Sequence, residues 1–134
     1  MNRYRKGYNL EFALKKKFVD IGFWAVRMPK SGKSPSAPID VLCIKNKTIL
    51  GFECKLRSSD RFYVSELDLD AIENWQKTTN GRFYLCLKFT KDKIIRIYDY
   101  DYVKNKHKIT IDDENYKPLN VFISEILNKK ITDY

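Results

Sequence analysis

Residues 38–55 read Pro-Ile-Asp-Val-Leu-Cys-Ile-Lys-Asn-Lys-Thr-Ile-Leu-Gly-Phe-Glu-Cys-Lys, and no other stretch limits the fold so tightly. Two apolar, β-branched runs, 39–44 and 48–54, flank the polar Lys45-Asn46-Lys47. This is the pattern of a β-hairpin, although Asn-Lys is a weaker turn pair than Asn-Gly. Side chains alternate faces along a strand, so Glu53 and Lys55 share one face while Phe52 and Cys54 share the other. Antiparallel pairing lays the start of the first strand beside the end of the second, which brings Asp40 next to Glu53 and Lys55. Two acids and a lysine at one end of an apolar sheet are costly to bury unless something is bound there. A divalent metal is the natural candidate. A cross-strand salt bridge at a solvated sheet edge accounts for the same three residues.

The rest of the chain supplies elements to pack against this hairpin. Leu10, Leu14, Phe18 and Ile21 recur at near-fourfold spacing and predict a helix that Gly22 ends. Glu11 falls in its first turns, where an acid suits the helix dipole and can pair with Lys15. Phe23–Met28 reads as a short strand. Residues 29–38 hold three prolines, a glycine and three serines, a loop whose lysines and hydroxyls suit phosphate contacts. Residues 56–63 are polar and basic and read as a second loop. Ser65 with Asp68 resembles a capping box opening a helix to Thr79, with Leu69, Ile72 and Trp75 inward. Its acids Glu66, Asp68, Asp70 and Glu73 read as a solvated face, and Asn80-Gly81 stops it. Arg82–Phe89 and Lys93–Tyr98 are strands, and Ile109–Ile111 a short edge strand. Pro118 suits the first turn of a last helix carrying Leu119, Phe122, Ile123, Ile126 and Leu127 on one face. His107, the only histidine, lies between lysines and reads as a surface residue. The order predicts one α/β domain over 1–134, a central mixed sheet of about five strands flanked by helices.

Composition narrows the class. A chain of 134 residues can bury one core, and 43% hydrophobic with 14% aromatic content excludes disorder. No apolar run approaches the roughly 20 residues of a membrane span, and the start lacks the apolar core of a signal peptide. Cys43, Cys54 and Cys86 sit inside apolar runs, an odd number that reads as reduced core thiols in a cytoplasmic protein. Twenty-six basic against seventeen acidic side chains give +9. Residues 1–37 hold nine of the basic residues and two carboxylates, a local excess of seven. Such an end attracts polyanions, most simply nucleic acid, with a solubility surface as the plain alternative. There is no Gly-rich phosphate loop, internal repeat or Cys/His zinc spacing.

The hairpin residues offer the parts needed to hydrolyse a phosphodiester. Asp40 and Glu53, with the Cys54 main-chain carbonyl, make a hard oxygen site of the kind Mg²⁺ or Mn²⁺ uses. Lys55 can orient an attacking water or neutralise charge developing on the phosphate. By spacing alone the pattern is weak, and the salt bridge stays open beside it.

Pro38…Asp40 followed by Glu53-Cys54-Lys55 resembles the signature of the PD-(D/E)xK nuclease superfamily, and more narrowly the archaeal Holliday junction resolvases, including those of archaeal viruses. The likeness covers about residues 3–90. It takes in Arg5-Lys6-Gly7, Glu11, Gly22–Arg27, Pro29-Lys30-Ser31-Gly32, the hairpin, and Phe62-Tyr63-Val64. The resemblance implies a restriction-endonuclease-like core and a homodimer that makes paired nicks in four-way DNA junctions with Mg²⁺, which Mn²⁺ can replace. It also implies a place in the cytoplasm, the host's for a viral member. It moves Glu11 into the metal site and sets a loop serine, Ser31 with Ser34 as rival, near the scissile phosphate. Arg3, Arg5, Lys6, Arg27, Lys30, Lys33, Arg57 and Arg61 become the expected phosphate contacts. Two departures stand: Ile39 separates Pro38 from Asp40, and Phe12 follows Glu11 where the family often carries a basic residue. A nuclease for other duplex or branched DNA, and a non-catalytic basic DNA-binding module, are the competing readings.

Overall fold

The expected hairpin forms the middle of a six-stranded mixed sheet. The computed structural model describes residues 3–29 and 38–132, with side chains from 9 to 29 and from 38 to 129. Strands β2 (Val41–Lys45) and β3 (Thr48–Arg57) pair antiparallel from Lys45↔Thr48 to Val41↔Phe52. The two-residue turn is Asn46-Lys47, and Asn46 takes the positive φ of 53° that this turn needs. β1 (Trp24–Arg27) adds antiparallel on the outside of β2. On its other side β3 runs parallel to β5 (Arg82–Phe89), from Leu50↔Arg82 to Arg57↔Phe89. The crossover between them contains a 3₁₀ turn, Val64–Glu66, and helix α2 (Leu69–Thr79), as a parallel connection requires. β6 (Ile95–Asp99) and β8 (Lys117–Pro118) complete the order β1-β2-β3-β5-β6-β8.

Two apolar layers form because β3 and β5 alternate. Leu50, Phe52, Cys54, Tyr84 and Cys86 face helices α1 (Arg3–Asp20) and α4 (Leu119–Thr132), meeting Leu10, Leu14, Phe18 and Phe122. Phe83, Leu85, Leu87 and Phe89 face the other way, onto Ile72 of α2 and Val103 of the short helix α3 (Tyr100–Val103). A two-stranded ribbon, β4 (Arg61–Tyr63) against β7 (Lys108–Thr110), adds Phe62 and Ile109 to this second layer. Each fully buried aliphatic or aromatic side chain contributes about 1.5–3 kcal/mol. Within the second layer Arg96 is only 1% exposed. Its guanidinium lies 4.8 Å from the Phe89 ring centre and 4.5 Å from that of Tyr116. It donates to Asp92 Oδ2 at 2.7 Å and to the Ile111 carbonyl at 2.9 Å, fastening segment 111–116 to the sheet.

Several expectations are corrected. The first helix begins at Arg3, so Glu11 stands in its middle and not in its first turns. Gly22 still ends it, with φ +92°. Asp68, and not Ser65, caps α2: its carboxylate accepts from the Ala71 amide at 3.1 Å. Residues 56–63 are largely strand, because β3 continues to Arg57 and β4 finds β7 some 47 positions along the chain. Local patterns carry no signal for such a partner. Pro118 lies in edge strand β8, where a missing amide costs no ladder bond, just before α4 begins.

Trp75 of α2 lies across the start of β3 and β5. A Cβ on Gly51 would sit 2.6 Å from its ring and 2.9 Å from Ile39 Cγ2, and one on Gly81 2.7 Å from the same ring. Gly51→Ala should therefore destabilise the domain by about 1–3 kcal/mol, the usual cost of overpacking. Trimming the ring in Gly51→Ala/Trp75→Leu should make the glycine substitution cost less than it does beside Trp75, with the 2.9 Å contact to Ile39 Cγ2 still in place. Urea unfolding of the four proteins measures both effects, and an unchanged midpoint for Gly51→Ala would refute this packing.

Candidate active site

The candidate residues Asp40, Glu53 and Lys55 lie where β2 parts from β3. β2 ends at Val41, whereas β3 runs on to Arg57 with β5 alone beside it. The Asp40 amide donates to the Phe52 carbonyl at 2.7 Å, although Val41 is already the register partner of Phe52. Two residues against one is the arrangement of a β-bulge, which re-aims side chains beside active sites. The Asp40 carbonyl meanwhile accepts from the Met28 amide at 2.7 Å, so the bulge is pinned from both sides. Its carboxylate turns into the fork, where Oδ2 accepts from the Cys54 amide at 2.8 Å. Strand alternation sends the Cys54 carbonyl toward this same edge. A regular hairpin register would set Asp40 straight across from Glu53 and Lys55; the bulge places it in the gap between the two faces of the sheet.

Glu53 and Lys55 stand together as expected. Their register partners on β5 are Leu85 and Leu87, so they share the face that α2 covers. Lys55 Nζ lies 3.2 Å from Glu53 Oε1, with the side chains 22% and 19% exposed. Such partial burial strengthens the pair relative to a solvated one.

Glu11 comes from the opposite face, on α1. It is 1% exposed among Leu10, Leu14 and Phe18, and its Oε1 accepts from Arg27 Nε at 3.2 Å. Arg27 can reach it because it follows Ala25 on the α1 side of β1. Lys15, the partner suggested by spacing, is not what holds Glu11 here: a buried carboxylate needs a cation at its own depth. Glu11 and Asp40 both act on the Cys54 thiol, which a hydrogen bond with Cys86 chiefly, then burial, then these negative charges push well above its ordinary range. Among the described residues, no three His, Cys, Asp or Glu side chains converge closely enough to hold a metal ion. The acids approach the fork from two faces and its plane, each engaged by a protein donor. As a donor set, Asp40, Glu53 and the Cys54 carbonyl still suit a hard divalent ion, which prefers oxygen.

Beyond the fork, Arg57 continues the Glu53–Lys55 face. It forms an ion pair with Glu66, and its guanidinium lies 5.4 Å from the centre of the Phe62 ring. Arg61 pairs with Asp60 at 2.9 Å. The acids read as a solvated face are thus partly employed: Glu66 holds Arg57, Asp68 caps α2, and Glu73 accepts from Tyr100 at 2.9 Å. Of the other expected residues, Arg3, Arg5 and Lys6 have side chains outside the described set, as do Lys30, Ser31, Lys33 and Ser34 in the loop before Pro38. The Arg27–Glu11 contact and the Asp40 bulge are not foreseeable from the sequence pattern.

Comparisons with known proteins bear on what this arrangement does. Residues 2–131 match the model of the archaeal Holliday junction resolvase (Hjc) family. The crossover junction endodeoxyribonuclease Hjc of Methanocaldococcus jannaschii is 24% identical over 128 residues, covering 96% of this chain and 91% of that one. The protein of the same name from Archaeoglobus fulgidus is 27% identical over 124 residues, covering 92% and 90%. The Sulfolobus acidocaldarius counterpart reaches 30% over 94 residues, covering 69% and 66%. The crystal structure of Archaeoglobus fulgidus Hjc, described as a Holliday junction resolvase from an archaeal hyperthermophile, superposes with a TM-score of 0.63. It does so at 23% identity over 78% of this chain and 88% of that one, a likeness of fold.

Two outcomes follow from the geometry of the fork. Arg27→Ala removes a cation from a carboxylate in the core layer and should lower stability by about 1–3 kcal/mol, read from the urea midpoint. Arg27→Ala/Glu11→Leu should recover part of that loss, and a double variant no more stable than the single one would refute the pairing. Burial also pushes the Cys43 thiol up to about 12. All three cysteines are buried, so at pH 8 the folded protein should leave a disulfide reagent such as DTNB nearly unreacted, while three thiols titrate once it is unfolded.

Proposed function

The chain belongs to the archaeal Holliday junction resolvase family, and from that premise we propose that it resolves four-way DNA junctions by divalent-metal-dependent hydrolysis at the β2–β3 fork. It is an endodeoxyribonuclease of the resolvase class. The observation that carries the site assignment is the bulged Asp40 held to the Cys54 amide beside the Glu53–Lys55 pair, on one rigid strand.

Asp40, Glu53 and the Cys54 carbonyl would hold Mg²⁺, for which Mn²⁺ can substitute. When bound there, the ion supplies positive charge at the scissile phosphate and a bound water of lowered pKa. Everything else falls to the chain. Lys55, already a donor toward Glu53, presents a proton-bearing cation where an attacking water or a phosphate oxygen arrives, offsetting negative charge as it develops. Arg27 fixes the Glu11 carboxylate in place, so this acid serves as an orienting group at the rim of the donor set. Asp40 is fixed by its bulge before any ligand arrives, so little ordering is left for the substrate to drive. Ser31, or Ser34 if the loop is registered differently, donates to the phosphate near the cut. Arg57 and Arg61 with the basic N-terminal segment contact flanking phosphates, which position the substrate without reading its sequence.

A four-way junction has approximate two-fold symmetry. Two copies of the chain joined through one self-complementary surface would place two forks on strands of like polarity, hence the paired nicks and the homodimer. No helix among the described residues is long and apolar enough to cross a membrane.

Incubating the protein with a labelled four-way junction and a matched linear duplex tests this reading. Paired nicks should form in the junction only, with Mg²⁺ or Mn²⁺ and not with EDTA. Asp40→Asn and Glu53→Gln should each lower the single-turnover rate by at least about a hundredfold with junction binding retained. Cutting at the normal rate by either variant would remove the fork as the active site. Ser31→Ala against Ser34→Ala identifies the loop donor, and normal rates in both would exclude the loop from the chemistry.

A further inference from the structure

Building on that nuclease reading, we propose that the outer face of the β4–β7 ribbon and the loop 104–108 bind the phosphate backbone of a duplex arm of the junction. The ribbon has two unlike faces. Phe62 and Ile109, register partners, are 0% and 1% exposed and lie in the second core layer. Strand alternation therefore turns Tyr63 and its partner Lys108 outward, together with Arg61. Tyr63 is 40% exposed although it belongs to a small, well-tied element. Its ring meets His107 edge-on at 5.7 Å between centres, and the Val64 amide donates to the His107 carbonyl at 3.0 Å. At the other end the Ile111 amide donates to the Asp60 carbonyl at 2.8 Å. The platform is thus held at both ends, so a ligand would not have to order it.

Charge supplies the partner. Residues 104–108 read Lys-Asn-Lys-His-Lys, and all five are exposed. Lys106 Nζ lies 4.9 Å from the centre of the Tyr102 ring, which steadies its stem and leaves its charge at the surface. The acids nearby are committed or displaced. Asp101 pairs with Lys104 at 3.5 Å, Asp60 pairs with Arg61, and Asp113 accepts from Tyr102. Asp112 and Glu114 follow β7 at its Arg61 end, away from the Tyr63↔Lys108 end. A face of lysines with a partly exposed tyrosine and an imidazole is one that accepts phosphates from several directions. The ribbon is also mechanically continuous with the catalytic strand. Arg57 stands two residues beyond Lys55 on the same face, about 7 Å along β3, and packs over Phe62. The ribbon is thus anchored, through its inner face, to the strand that carries Glu53 and Lys55.

The test measures binding without divalent ion, as a function of salt, to a four-way junction by the wild-type protein, Lys106→Gln/Lys108→Gln and the charge-matched control Lys47→Gln/Lys77→Gln. Removing one lysine–phosphate ion pair should flatten the slope of log affinity against log salt by about 0.9, so the ribbon variant should lose nearly two units and bind several-fold more weakly. The control should keep the wild-type slope. A ribbon variant with the wild-type slope overturns the proposal, and so does a control that loses as much, since net charge alone would then explain the effect. If the wild-type protein neither binds nor cuts the junction, the nuclease reading itself has failed. That outcome is read from the wild-type sample alone.

Discussion

The hydrogen bond from the Cys54 amide to Asp40 Oδ2 sits where two strands separate, and the placement of the candidate site depends on it. A strand that loses its neighbour part-way exposes a row of amides and carbonyls. Here β2 stops at Val41 while β3 continues to Arg57, and the Asp40 carboxylate takes the first amide that the missing strand leaves behind. The bond closes the sheet at that point and fixes an acid there. It also leaves the neighbouring carbonyl of Cys54 directed at the same gap. Structural necessity and chemical provision are met by one side chain, through a bulge that costs the ladder one regular pair.

From this fork outward the molecule is arranged by layers. The α1 face contributes Glu11, buried and held by Arg27; the α2 face contributes Glu53 and Lys55. Because the two groups approach from different layers, neither face has to bury all the charge. Each acid is met by its own donor, as low-dielectric surroundings demand. The parallel β3·β5 pairing keeps β3 in the centre of the sheet, flanked by the Cys54↔Cys86 pair on one face and Leu85 and Leu87 on the other. Arg96 and the rings around it do the same for the far layer, tying the segment after β7 to the sheet and so supporting the ribbon.

Much of this is legible in the residues. Alternation along 48–55 puts Glu53 and Lys55 on a shared face, and they meet at 3.2 Å. Period and punctuation mark α1 with its Gly22 end and α2 with its Asn80-Gly81 end. The archaeal resolvase likeness, carried by Asp40, Glu53 and Lys55 in their spacing, agrees with the family match over residues 2–131. The misreadings share a cause. Ser65 resembles a cap more than Asp68 does because a pattern of residue types cannot see which side chain meets an amide. Residues 61–63 look like loop because their strand partner lies at 108–110.

What the chain determines by itself is therefore what covalent geometry fixes: which side chains share a strand face, where a helix must stop, and how basic the N-terminal third is. Those follow from a two-residue or 3.6-residue repeat, from a glycine's freedom, and from counting charges. Tertiary structure alone decided which distant groups meet. It set Arg27 rather than Lys15 on Glu11, turned Asp40 into the fork instead of across the hairpin, and joined β4 to β7. Such meetings depend on the packing of whole layers and on the need to pair every buried polar group, and neither is expressed in local spacing.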